Sequence, residues 1–483
     1  MKKSLTSLLC VSAFCLALLL AGPGVMAQAD SSTHLTLKQC LDLAYANNLD
    51  LKQAELDAAG LGVDYRQAKQ NRLPQVNGFI EHGNNQGRSI DPFTNSYLNQ
   101  KIEYANYGAS GGVVLFNGMA IQNNIQQQKL ALAAGKQEIQ QQKDNLSINI
   151  MNAYLLALST ADLLEQIRIQ AHLSSKQVER LAILHQEGAV PPGQLYDLKG
   201  QLASDEINLV NTKNQLDAAI LALCQLMNIP YNPAIELEPL PSEEFLKAYE
   251  GNAAGIYQTA LNQLAAVKAA SLRTESAEKG VKAWRSQLWP TLSLNGGLFT
   301  NYSSAARTAQ FLRTIETSTG DYVKINGTET PVLTMRDQFD MQKITYADQF
   351  KNNYSTNINL SLRIPIINSL QGRNRIERAK IQLKSAELVE KTTKIRLQQQ
   401  VEQAYLNMTA TYNRYKTVLQ QVDAFTESFR TAEARFNEGV LNSVEYLTAK
   451  NNLDRSMINL IVAKYDYVFR TRLLDFYQGK AIW

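Results

Sequence analysis

From residue 93 to 190, and again from 366 to 483, the chain contains no proline. Within those stretches, residues 118–186 and 371–437 carry almost no turn signal. A helix of that span, at ~1.5 Å per residue, is about 100 Å long. Ordinary globular helices do not reach that length, and uncapped patterns this long point to coiled coil. Two such segments in one chain leave few folds to consider.

The periodicity agrees. Positions 397, 401, 404, 408, 411, 415, 418, 422, 425, 429, 432 and 436 are apolar, aromatic or small, running from Leu397 and Val401 to Phe429 and Phe436. Their spacing alternates four and three, a 3.5-residue period that specifies a left-handed supercoil with a narrow seam. The same frame recurs 251 residues earlier, from Leu146 to His185. At that offset Ala153-Tyr154 matches Ala404-Tyr405, Glu187-Gly188 matches Glu438-Gly439, and Lys199 matches Lys450. The chain therefore reads as a duplication. Residues 1–27 are a leader, 28–228 a first repeat, 229–250 a proline-rich linker expected to be irregular, and 251–483 a second repeat.

Each repeat has one plan. A lead-in helix, about 36–72 or 251–289, ends at Leu73-Pro74 or Trp289-Pro290. Two β-like segments follow, separated by a polar connection, 84–106 or 303–353, expected to be a surface loop. The long helix then turns at Gly188 or Gly439 and returns as an antiparallel hairpin, about 193–228 or 443–477.

Lys2 and Lys3, the apolar run Leu8–Ala21 and the small residues around Val25-Met26-Ala27 read as a secretory signal. Beyond it no apolar run reaches ~18 residues, so no transmembrane helix is expected. Lys+Arg total 48 against 44 Asp+Glu, a balance that excludes a strongly basic nucleic-acid binder. Four cysteines exclude a disulfide scaffold, and two of them fall in the leader. Cys40 and Cys224 are expected to be buried free thiols, with pairing the alternative.

Location comes from the β segments. In 354–364, Tyr354, Thr356, Ile358, Leu360, Leu362 and Ile364 share one face, and Ser355, Asn357, Asn359, Ser361 and Arg363 the other. Residues 291–302 alternate likewise; 75–83 and 107–117 do so more weakly. Alternation over ~9–11 residues suits a strand crossing a bilayer with an apolar face outward. A half-buried strand in a soluble sheet is the other source of such alternation; four strands cannot close a barrel, since the smallest have about eight, so a barrel would have to be shared between copies.

These features together resemble the TolC-type outer-membrane efflux proteins, the outer channels of tripartite export systems, from Leu35 to about Tyr477. The duplicated turns Arg435-Phe436-Asn437-Glu438-Gly439 and His185-Gln186-Glu187-Gly188 carry the resemblance most specifically. It implies an α+β membrane protein: a homotrimer with one twelve-stranded barrel in outer-membrane lipid and a periplasmic tunnel of helical hairpins. Its tips would meet a periplasmic adaptor linked to an inner-membrane pump. Glu187, Gly188, Glu438, Gly439 and Val440 are the candidate adaptor contacts. The resemblance also places an acidic residue, Glu445, at a periplasmic constriction, with Thr448 where a second acid usually stands. The arginine that ties the best-known member's helices shut is replaced here by Leu441, and its acidic partner by Gln194, with Tyr196 and Asp197 nearby. Glu445 has a second reading, as the third residue of a capping box begun by Asn442; both stay open.

No enzymatic motif survives. His34, His82, His172 and His185 are scattered without metal-ligand spacing. Gly108-Ala109-Ser110-Gly111-Gly112 has the form of a nucleophile elbow, but Val113, Val114, Leu115 and Phe116 continue a β-like run where that motif needs a turn into a helix. No phosphate-binding glycine loop occurs, and no cofactor is expected. The leading function is a passive export duct; the alternative is a soluble periplasmic coiled-coil adaptor or scaffold.

Overall fold

A computed structural model describes residues 34–90, 95–99, 101–239 and 247–480. The leader and the linker residue Pro241 lie outside the described residues. The chain divides into two compact units, each drawing on both sequence halves. One comprises 1–53, 139–264 and 395–483; the other comprises 54–138 and 265–394.

The fold is α+β. The helices are α1 (Leu37–Asn47), α2 (Leu49–Gln70), α3 (Ala120–Gln186), α4 (Pro192–Met227), α5 (Ala253–Gln263), α6 (Ala265–Ser286), α7 (Tyr346–Asn352), α8 (Gln371–Asn437) and α9 (Ser443–Tyr477). Both α3 and α8 have 67 residues, and the 251-residue offset superimposes their ends. Each expected lead-in helix is broken in two, at Asn48 and at Leu264. In each case the residue adopts an extended conformation and its N–H bonds four residues back.

All twelve positions of each expected heptad seam are buried or half-buried. Helix α3 buries a broader face than the seam alone, adding Ser147, Met151, Leu155 and Leu158. In the first unit, Leu37, Cys40 and Leu41 of α1 pack with Ile150 and Tyr154 of α3 and Leu223, Cys224 and Met227 of α4. Cys40 and Cys224 are free buried thiols, and desolvation pushes the Cys40 thiol up to about 12. The matched tyrosines perform matched tasks. Tyr154 donates to the Glu238 carbonyl at 2.7 Å, and Tyr405 to the Gly251 carbonyl at 3.1 Å. Among the described linker residues, β6 (Glu236–Leu237) pairs in parallel with β1 (His34–Leu35).

The second unit holds a four-stranded antiparallel sheet of β2 (Gln75–Asn85), β5 (Ile102–Phe116), β7 (Thr291–Ser303) and β10 (Ser355–Arg363), ordered β10-β7-β5-β2. Strand register aligns the faces across all four. Val76, Gly111, Gly296 and Ile358 lie in one row, and Asn77, Ser110, Gly297 and Asn357 in the next. The apolar face is open: Ile80, Ile358 and Leu360 are 78%, 82% and 63% exposed. On the polar face Asn295 donates to Asn359 at 3.2 Å. Gly108 belongs to continuous strand β5, not to an elbow. A Cβ there would meet the rings of Phe79 and Phe299 at 2.6 and 2.7 Å, so close ring approach requires glycine.

The polar connections depart from expectation. Residues 84–106 contain the short hairpin of β3 (Arg88–Ile90) and β4 (Tyr97–Asn99). Residues 303–353 are not a loop. They form the long hairpin β8 (Arg307–Ile325) and β9 (Thr328–Lys343), followed by α7. Asn326-Gly327 makes its turn with φ of +55° and +88°, the conformation that two-residue hairpin turns require. Exposure of nearly every residue on this hairpin explains its loop-like polarity, while the Asn-Gly pair was the available signal.

Candidate functional site

The two hairpin turns are built alike. Gly188 and Gly439 have φ of +71° and +72°. Ala189 N–H bonds Leu184 C=O at 2.8 Å, and Val440 N–H bonds Arg435 C=O at 2.9 Å. This backbone closure of a helix C-terminus needs a left-handed residue, hence glycine. Glu187, Gly188, Glu438, Gly439 and Val440 are all exposed.

Beneath the turns, both hairpins share one core. Leu181, Leu195 and Leu198 pack with Phe429, Phe436 and Tyr446. The Phe436 and Tyr446 rings stack with centroids 4.5 Å apart. Asp197 accepts a hydrogen bond from Ser443 Oγ at 2.7 Å, while Arg180 binds the Asn437 side chain and its carbonyl oxygen. Asp197 thus bridges the hairpins; Gln194 is half-buried.

Helix α9 starts at a side-chain cap: Asn442 Oδ1 accepts from Glu445 N–H at 2.9 Å. Only this half of a capping box is present. In α1, by contrast, Thr36 and Gln39 complete both halves. Among the described residues nothing takes the exposed Glu445 carboxylate. Thr448 Oγ1 donates to its own helix at Val444 C=O, 2.8 Å away.

The sequence reading missed a buried ionic cluster below the tip. Lys450, 1% exposed, places Nζ 3.0 Å from Asp205 of α4 and 2.7 Å from Asp454. Ser174 Oγ and Gln201 Nε2 donate to the two oxygens of Asp205 at 2.5 and 2.8 Å. Burial raises the Asp454 carboxyl above its ordinary range, a shift that the Lys450 charge opposes. The available signal was a lysine on the buried stripe of α9, between Tyr446 and Ser456. Nearby, Gln170 Nε2, Gln177 Oε1 and Tyr446 OH are buried without a hydrogen-bond partner. Among the described residues no three His, Cys, Asp or Glu side chains cluster to hold a metal, and no helix is long and apolar enough to cross a membrane.

Open amphipathic sheet, 67-residue helices and paired glycine-turn tips define the arrangement with which known proteins compare. Residues 256–479 match the outer membrane efflux protein family. That is an efflux family, not an enzyme family, and it is the one the sequence resembles. Solved structures of membrane proteins share the fold over most of the chain. The outer membrane protein VceC of Vibrio cholerae has a TM-score of 0.72 at 15% identity, covering 92% of this chain and 97% of that one. A Pseudomonas aeruginosa membrane protein gives 0.71 at 16%, covering 92% and 89%. The Campylobacter jejuni CmeC outer membrane channel gives 0.67 at 15%, covering 92% and 85%. No curated protein matches.

Proposed function

We propose that the chain is the outer-membrane channel of a tripartite efflux or secretion system, passively conducting substrates outward from a periplasmic adaptor and inner-membrane pump. The observation that carries this is the four-stranded sheet, apolar on one open face and polar on the other, with unpaired edges at β2 and β10. Lipid cannot satisfy open strand edges. Three copies joined edge to edge give a closed barrel of twelve strands, its polar face with Asn77, Asn295 and Asn359 toward the lumen. An adaptor has no use for such a sheet, which disfavours the soluble reading. The two repeats, 28–228 and 251–483 about the linker 229–250, are supported by the constant offset between α3 and α8.

At the periplasmic end, the tips at Glu187, Gly188, Glu438, Gly439 and Val440 offer the adaptor surface, with Val440 67% exposed. Glu445 serves as a constriction ring, one carboxylate per protomer, because its side chain is left free by the half-formed cap. Thr448 adds no charge, and the Asp197–Ser443 bond stands where the family's arginine pair is missing. The unsatisfied atoms of Gln170, Gln177 and Tyr446 each cost about 1–3 kcal/mol, which suits a segment that rearranges on opening. Glu445→Gln tests the ring. It keeps the helix cap but removes the charge, so block of conductance by divalent cations in planar bilayers should weaken. Unchanged block would reject the gating role.

A further inference from the structure

We propose that the end of the sheet nearest the helices binds the headgroup of an anionic phospholipid. This rests on the membrane reading above. Register brings four junctions to one end of the sheet: the start of β2, the end of β5, the start of β7 and the end of β10, with Gln75 opposite Gly112, Phe116 opposite Leu292 and Thr291 opposite Arg363. Arg72, Arg285, Arg373, Arg375 and Arg378 flank these junctions. No Asp or Glu occurs in 65–80, 104–137, 279–315 or 349–376. Nearby acids are already engaged: Glu377 pairs with Lys380 at 3.2 Å and Glu278 with Lys282 at 2.8 Å. Among the described residues no ion pair takes Arg72, Arg285, Arg373 or Arg378. Glu81 and Glu103 sit toward the other end of the sheet, where β2 ends and β5 begins.

The order of side chains follows the order of a leaflet. The apolar strand face gives way to an exposed belt that includes Phe116, Trp289 and Ile366, which is 89% exposed. Moving out of the strands along the chain, Arg285 lies beyond Trp289, and Arg373 and Arg375 lie beyond Ile366. Aromatic residues favour the interface and basic residues the anionic headgroups. A cavity of about 450 Å³ opens at the same place, lined by Asn117, Asn124, Gln127, Gln128, Trp284 and Gln287. Its amides can donate to phosphodiester oxygens and to glycerol hydroxyls. Arg375 lies over the Trp284 ring, 5.4 Å from its centroid, and supplies positive charge beside that wall.

The test uses the full chain reconstituted into vesicles of phosphatidylcholine with or without phosphatidylglycerol, then extracted gently for native mass spectrometry. The wild type should retain phosphatidylglycerol over phosphatidylcholine by roughly tenfold, as expected for two or more basic side chains near one headgroup. R285Q/R373Q/R375Q should still insert but lose that preference, R285Q alone should lose part of it, and K101Q, toward the other end of the sheet, should keep it. Equal retention of both lipids by the wild type, or an undiminished preference in the triple variant, would overturn the proposal. So would complete displacement by inorganic phosphate, which would mark a free-anion site. Failure of the wild type to enter vesicles at all would overturn the membrane reading itself.

Discussion

Lys450→Met should destabilise the protein by about 3–5 kcal/mol, the cost of leaving buried charges without their partner. Two carboxylates, Asp205 and Asp454, face this one ammonium, and among the described residues only Asp205 has further donors, from Ser174 and Gln201. Asp454→Asn should act oppositely. Because its folded carboxyl is raised above the unfolded value of 3.8, its ionisation opposes folding at neutral pH. That cost is absent below the unfolded value and fully present above the folded one. Asp454→Asn should therefore be more stable than wild type at neutral pH, with the gain fading as pH falls through the raised range. Denaturant unfolding across that range reads both variants. A neutral effect of Lys450→Met would mean the cluster is solvated.

Leu360→Arg should block membrane insertion, whereas Asn359→Arg, one residue away, should be tolerated. A charge on the lipid face costs ~2–4 kcal/mol near the midplane, and Leu360 lies on the apolar face opposite Leu294. Asn359 lies on the polar face, bonded to Asn295. Folding into vesicles, followed by heat-modifiable migration on gels, distinguishes the pair. Equal loss in both would mean the faces are misassigned.

The long elements were legible because their signals repeat. A seam twelve positions long survives local exceptions such as Thr411 and Tyr415, and the lead-in helices stop four residues before Pro74 and Pro290, since proline disfavours helix in the residue before it. The hairpin at 307–343 was hidden because an exposed two-stranded ribbon buries neither face, so its polarity copies a loop's; only Asn326-Gly327 marks it. Lys450 was hidden for a different reason. Its charge reads as surface, and the partner that buries it, Asp205, lies 245 residues away. At Glu445 the sequence showed both a cap and a candidate ring, and the structure completes only the cap's backbone half.

The central claim is that three copies share one barrel. The mass of the detergent-solubilised particle, after subtraction of bound detergent, tests it most directly. The expected value is three times the chain mass, in a fraction that detergent alone releases from membranes. A monomer recovered in the soluble periplasmic fraction without detergent would contradict it.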